Sequence, residues 1–195
     1  MLASRRLLFG LALVVLLGGL GWAMSVASYP SDQTPEGAYL RIAQAVNQDR
    51  PQDFFAYTDE EAQHACYSLL DNRRRARARI LGGYPGPKQA EALRPFQDIA
   101  ELESPADVLA YYARREGWLS QLRHDLSAVK KVEQSGPRAT VVTVVGTRYA
   151  LRRRPNGIYG LSAFTPFLCE EAEKSARDFV LIDKTASAYE GAKKP

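Results

Sequence analysis

Two histidines, two cysteines and five arginines within twelve positions are the residues of this chain with chemistry to offer. His64 and His124 are the candidates for acid–base work, because imidazole titrates nearest neutral pH and needs only a facing carboxylate to complete a pair. His64 and Cys66 stand two apart, so on a helix they point in different directions and form no local thiol–imidazole pair. A solvated or partly buried histidine is the plainer reading of each. No HExxH or CxxC spacing, no Gly-rich phosphate loop and no GxSxG occurs. The sequence therefore points to no metal, no cofactor and no catalytic residue.

The arginines lie in "LLDNRRRARARI", Leu69 to Ile80. At about 100° per residue an apolar seam passes through Ala62, Cys66, Leu69, Leu70, Ile80 and Leu81. On that wheel Arg73 and Arg77 project inward, Arg75 and Arg79 point away, and Arg74 sits at the flank. An inward guanidinium needs a partner, since a buried unpaired charge costs several kcal/mol, on the order of a whole domain's net stability. Glu170, Glu171 and Glu173 are the expected partners. The functional alternative is that Arg73 and Arg77 hold an anionic ligand, a carboxylate or a phosphate. The outward arginines, joined by Arg152 to Arg154, suit solvent or an anionic envelope surface.

The surroundings of the run argue against nucleic acid. Net charge is +4, but Arg5 and Arg6 precede an apolar segment, leaving residues 28–195 with 24 Lys+Arg against 22 Asp+Glu. No aromatic residues interleave with the arginines to stack bases. The apolar segment, Leu7 to Met24, is 18 uncharged residues, close to the length that spans a bilayer. Basic residues before it and acidic ones after it place the N-terminus in the cytoplasm and the domain on the non-cytoplasmic, periplasm-like side. Residues 1–27 are read as a retained membrane anchor or a signal peptide cleaved near Ala27, and 28–195 as one exported domain. Export suits a single disulfide between Cys66 and Cys169, whose loop of about 100 residues would stabilise by up to about 4.7 kcal/mol.

Positioning these residues falls to elements marked by caps and breakers. Thr34 and Pro35 open a helix that stops at "NQDRP", and Thr58 with Glu61 reads as a capping box for a second helix reaching Gly82-Gly83. Ser104 and Pro105 start another, ending near Gly117, with Trp118, Leu119 and Leu122 packing on it. From Ala128 the chain alternates in the manner of strands, with Asn156-Gly157 as its strongest hairpin signal. Ala139 to Val145 is expected to be a central strand covered on both faces, and Arg148 to Arg153 a more peripheral one. Thr165 and Pro166 cap a last helix whose apolar stripe packs on the body. Helices before a sheet predict an α+β fold.

The opening "TPEGAYLRIAQAVNQDRPQDFFAY" and the hairpin run "GTRYALRRRPNGIYGLSAF" resemble the NTF2-like superfamily, particularly its exported, lipoprotein-like members. Asn47, Asp49, Phe54 and Phe55 supply that group's turn into a short aromatic piece. The resemblance implies a cone, a curved antiparallel sheet wrapping helices, with the C-terminal helix and residues 82–104 as departures from the plan. Members include small isomerases or dehydratases and many non-catalytic binding or assembly modules. The expectation is a non-catalytic envelope module meeting a membrane, a protein partner or an anionic ligand. The rivals are a small cavity enzyme and an anion binder using Arg73 and Arg77.

Overall fold

The computed structural model describes residues 30–192; the segment read as signal or anchor lies outside them. Among the described residues no helix is long and apolar enough to cross a membrane. Helices come first: α1 (Pro35–Asn47), a 3₁₀ turn (Pro51–Tyr57), α2 (Glu60–Gly83), α3 (Gly86–Leu93), α4 (Gln97–Ala100), α5 (Pro105–Arg115) and α6 (Trp118–Asp125). Strands β1 (Val129–Ser135), β2 (Arg138–Thr143), β3 (Arg148–Arg153) and β4 (Tyr159–Leu161) follow, and α7 (Thr165–Ala192) closes the chain. The strands form one open antiparallel sheet in the order β1-β2-β3-β4, so the fold is α+β with helices packed on a sheet and a C-terminal helix.

Local signals place most boundaries. The Thr34 hydroxyl accepts from the Gly37 N–H at 3.1 Å, with Pro35 in the first turn. Ser104 and Asp107 complete a reciprocal capping box on α5. Gly157, at φ +86°, supplies the left-handed residue that turns β3 into β4. Two caps differ from expectation. Thr58 is drawn into a parallel bridge with Leu161 and donates its hydroxyl to the Phe55 carbonyl, so Asp59 caps α2 instead, accepting from the Glu60 N–H at 2.9 Å. Thr165 is already helical, the first residue of α7 and not its N-cap.

The sheet corrects two strand assignments. β3 pairs on both sides, with β2 and β4, so Arg148–Arg153 is interior and β1 and β4 are the edges. β2 stops at Thr143, and Val144 and Val145 stand in the exposed turn beyond it. Its inner face buries Ala139 and Val141 beside Tyr149 and Leu151 of β3. On the other face Val142 lies between Lys131 and Arg148, which both pair with Glu133; a charged cluster covers it where a second layer was expected.

Between sheet and helices the interior is filled by large side chains. Tyr39, Phe54, Tyr112 and Tyr159 are fully buried with Leu69, Leu109 and Leu168 around them. Trp118 stacks on Phe164 at 4.3 Å and seals one side. The longest contact in the molecule joins α2 to α7. Successive contacts, Asn72 to Ser175, Arg73 to Asp178, Arg79 to Asp183 and Gly83 to Ala186, rise together along both helices, so the two run parallel. The buried row of α2, Ala62, Cys66, Leu69, Arg73, Ala76, Ile80 and Gly83, alternates in fours and threes. The row of α7, Leu168, Ala172, Ser175, Phe179, Ile182 and Ala186, does the same. That is the spacing of a two-stranded coil.

Candidate functional site

The arginine run divides differently from the wheel. Arg73 is buried at 5% exposure and its Nη1 donates to Asp178 Oδ2 at 2.7 Å, with Phe96 packed 4.8 Å beneath the guanidinium. The inward expectation holds for this residue, but its partner lies beyond the three glutamates expected, because the parallel alignment matches position 73 to 178. Glu171 is engaged elsewhere, accepting from the Tyr112 hydroxyl at 3.0 Å. Arg77 is exposed, contrary to the wheel. Arg79 is no outward side chain: it donates to Asp183 at 2.6 Å, to Ser187 at 2.9 Å and to both Glu190 oxygens. The hydrogen bonds it donates to Glu190 and then to Asp183 hold it firmly charged. Arg75 stacks on Phe179 at 4.1 Å.

The reason is the period. A seam repeating every 3.5 residues drifts by about 20° per heptad against a 3.6-residue wheel. By the third heptad that drift carries Arg77 off the seam and brings Arg79 to its flank, while Leu81 turns out to 44% exposure. The structure thus brings Arg73 and Arg77 to no common site.

The other sequence candidates also separate. His64 is exposed on α2. His124 lies at the end of α6 with its side chain 90% exposed, its Nδ1 3.0 Å from Asp125 alone. Cys66 and Cys169 are free thiols, which corrects the expected disulfide. Cys66 is buried in the helix seam, and Cys169, one position off the Leu168–Ala172 row, is half-buried against the same core. Burial, with a smaller effect from Cys169, pushes the Cys66 thiol up to about 12, so it is a protonated packing group near neutral pH. Among the described residues no cluster of three or more His, Cys, Asp or Glu side chains is placed to hold a metal.

What sequence reading missed is a surface cleft of about 650 Å³ between the 3₁₀ turn, the α4–α5 connection and α5. Gln52 of the turn donates to Asp107 Oδ1 at 3.3 Å, and Ser104 holds the other carboxylate oxygen at 2.7 Å and 3.0 Å. The Ser104 hydrogen bond holds the Asp107 carboxyl below its ordinary range. Arg74, the flank member of the run, donates to the Leu102 and Glu103 carbonyls at 2.6 and 3.2 Å and so fixes the cleft's outer wall to α2. Arg115 is stacked on Tyr112 at 4.8 Å and tied to Glu116. Arg114 and Glu103 line the cleft and their side chains make no ion pair or hydrogen bond among the described residues, with the Tyr111 ring and Leu102 between. With Arg115 so engaged, the cleft presents the Arg114 guanidinium, the Glu103 and Asp107 carboxylates and an apolar floor. Its only sequence signal was the Ser104–Asp107 box, since three elements far apart in the chain assemble it.

Comparison with known protein families, curated proteins and solved structures finds no match.

Proposed function

We propose that this chain is a non-catalytic binding or assembly module of the cell envelope, NTF2-like in fold, held at or exported across the membrane by residues 1–27. The cleft beside α5 receives an extended segment of a partner protein. The observation that carries this reading is the contrast between an interior filled by Tyr39, Phe54, Tyr112 and Tyr159 and a cleft left open at the surface. The rival is a small cavity enzyme with His64, His124 or a tyrosine as its acid–base group; a histidine in that role would have to face a carboxylate inside the cone, and both histidines lie on the outside. Anion capture by Arg73 and Arg77 is disfavoured because Asp178 already engages the first. In the cleft, Arg114 suits a partner carboxylate or carbonyl, Glu103 a lysine or arginine, and the Tyr111–Leu102 floor an apolar side chain between them.

The test uses the full chain in its native membrane with a photo-crosslinking residue in place of Glu103. One discrete protein adduct is expected, lost when Arg114→Glu is added while the thermal midpoint is unchanged. Absence of a protein adduct from this position, or an adduct indifferent to Arg114→Glu, overturns the reading.

A further inference from the structure

On the side of α7 turned away from α2, Glu173, Arg177, Val180 and Lys184 follow one another in fours and threes, flanked by Ala176 and Leu181. Val180 is 49% exposed and Leu181 63%, the two large apolar side chains that α7 leaves in water. With Ala176 and the Arg177 stem they line a shallow hollow of about 470 Å³ that is almost wholly apolar. Neither residue serves the α2 seam, whose needs Phe179 and Ile182 meet. Two adjacent large apolar side chains left in water on a helix that already has one partner form an uncovered patch, the usual mark of an interaction surface.

We infer that this face docks on the same face of a second copy of the chain, the two α7 helices running antiparallel about a two-fold axis between Arg177 and Val180. The charge order along the helix selects this occupant and this direction. That axis sets Glu173 of each copy against Lys184 of the other, Ala176 against Leu181, and the Arg177 stem against Val180, so acid faces base, small faces large, and an alkyl stem covers the valine. An isologous contact must be self-complementary in this way. A parallel arrangement would set each charge against its own like. Arg177 is 3.5 Å from Glu173 within its own chain, which keeps the guanidinium beside an acid when its stem is covered. The proposal does not rest on the cleft, which lies on other elements.

The test is charge exchange in the full chain, in its native membrane, with a photo-crosslinking residue at Val180. An adduct of twice the chain mass is expected. Lys184→Glu should reduce its yield by about tenfold through two like-charge contacts, and Glu173→Lys together with Lys184→Glu should restore it. Leu181→Asp should abolish it, with the thermal midpoint unchanged because the residue is already in water. An adduct only to lipid or to a different protein, no adduct, or no recovery in the double exchange overturns the inference.

Discussion

The sheet-side body and the distal half of the α2–α7 pair are held together by different means. In the body, four fully buried aromatic side chains and a broad aliphatic core leave water together, each contributing about 2–3 kcal/mol. In the distal half the buried apolar set shrinks to Ala76, Ile80 and Ile182, ringed by Phe96, Phe179 and Tyr84. There Arg73 and Arg79 supply stems that cover the seam and heads that find Asp178, Asp183 and Glu190. Small residues bring two helices close but bury little area. Charge pairing then fixes which turn of α7 meets which turn of α2, whereas in the body pairs such as Arg152 with Glu61 sit at the surface of a large apolar core.

That contrast can be broken or sharpened by substitution. The largest effect belongs to the body: Phe54→Ala should cost about 3–5 kcal/mol in urea unfolding, lowering one transition of the whole domain. Next comes Asp178→Ala, which leaves the buried Arg73 guanidinium unpaired and should cost about 3 kcal/mol. The double variant Arg73→Met, Asp178→Leu should recover most of it; a double variant as unstable as the single one would show that Arg73 is held by its Phe96 packing and not by the pair. Gly83→Ala gains helix propensity of about 1 kcal/mol, yet its methyl would meet the Ala186 Cβ at 2.6 Å. Overpacking of about 1–3 kcal/mol should win, with hydrogen exchange rising over 76–83 and 182–190 and unchanged in β2.

Ser104→Ala is the smallest, about 1 kcal/mol for a lost cap. It carries a pH signature. Asp107 is held below its ordinary carboxyl range in the folded state, so its contribution is present above the unfolded value of about 3.9 and is lost as pH falls through the depressed folded value. Ser104→Ala should flatten that acid limb in a stability-against-pH series.

Sequence reached what is decided locally. Thr34, Ser104 and the Asn156–Gly157 turn act within a few residues, and all three stand where their types require. The inward orientation of Arg73 was legible because it continues the Ala62, Cys66, Leu69 row in steps of three and four. Its partner was not, since alignment of α2 with α7 depends on everything between them. Arg77 and Arg79 exchanged roles because period drift accumulates with length. The interior position of β3 and the cleft wall built by Arg74 and the Leu102 and Glu103 carbonyls depend on contacts between distant segments. Composition carries no trace of those.

The parallel run of α2 and α7 also sets an order of events. Each pair that closes it joins residues more than a hundred positions apart: 105 for Arg73 with Asp178, 104 for Arg79 with Asp183, and 111 for Arg79 with Glu190. The helix that covers Cys66, Leu69 and Arg73 is synthesised well after them, and contacts of such separation form slowly. Until α7 arrives, half of α2's buried row is an uncovered hydrophobic stripe interrupted by one cation.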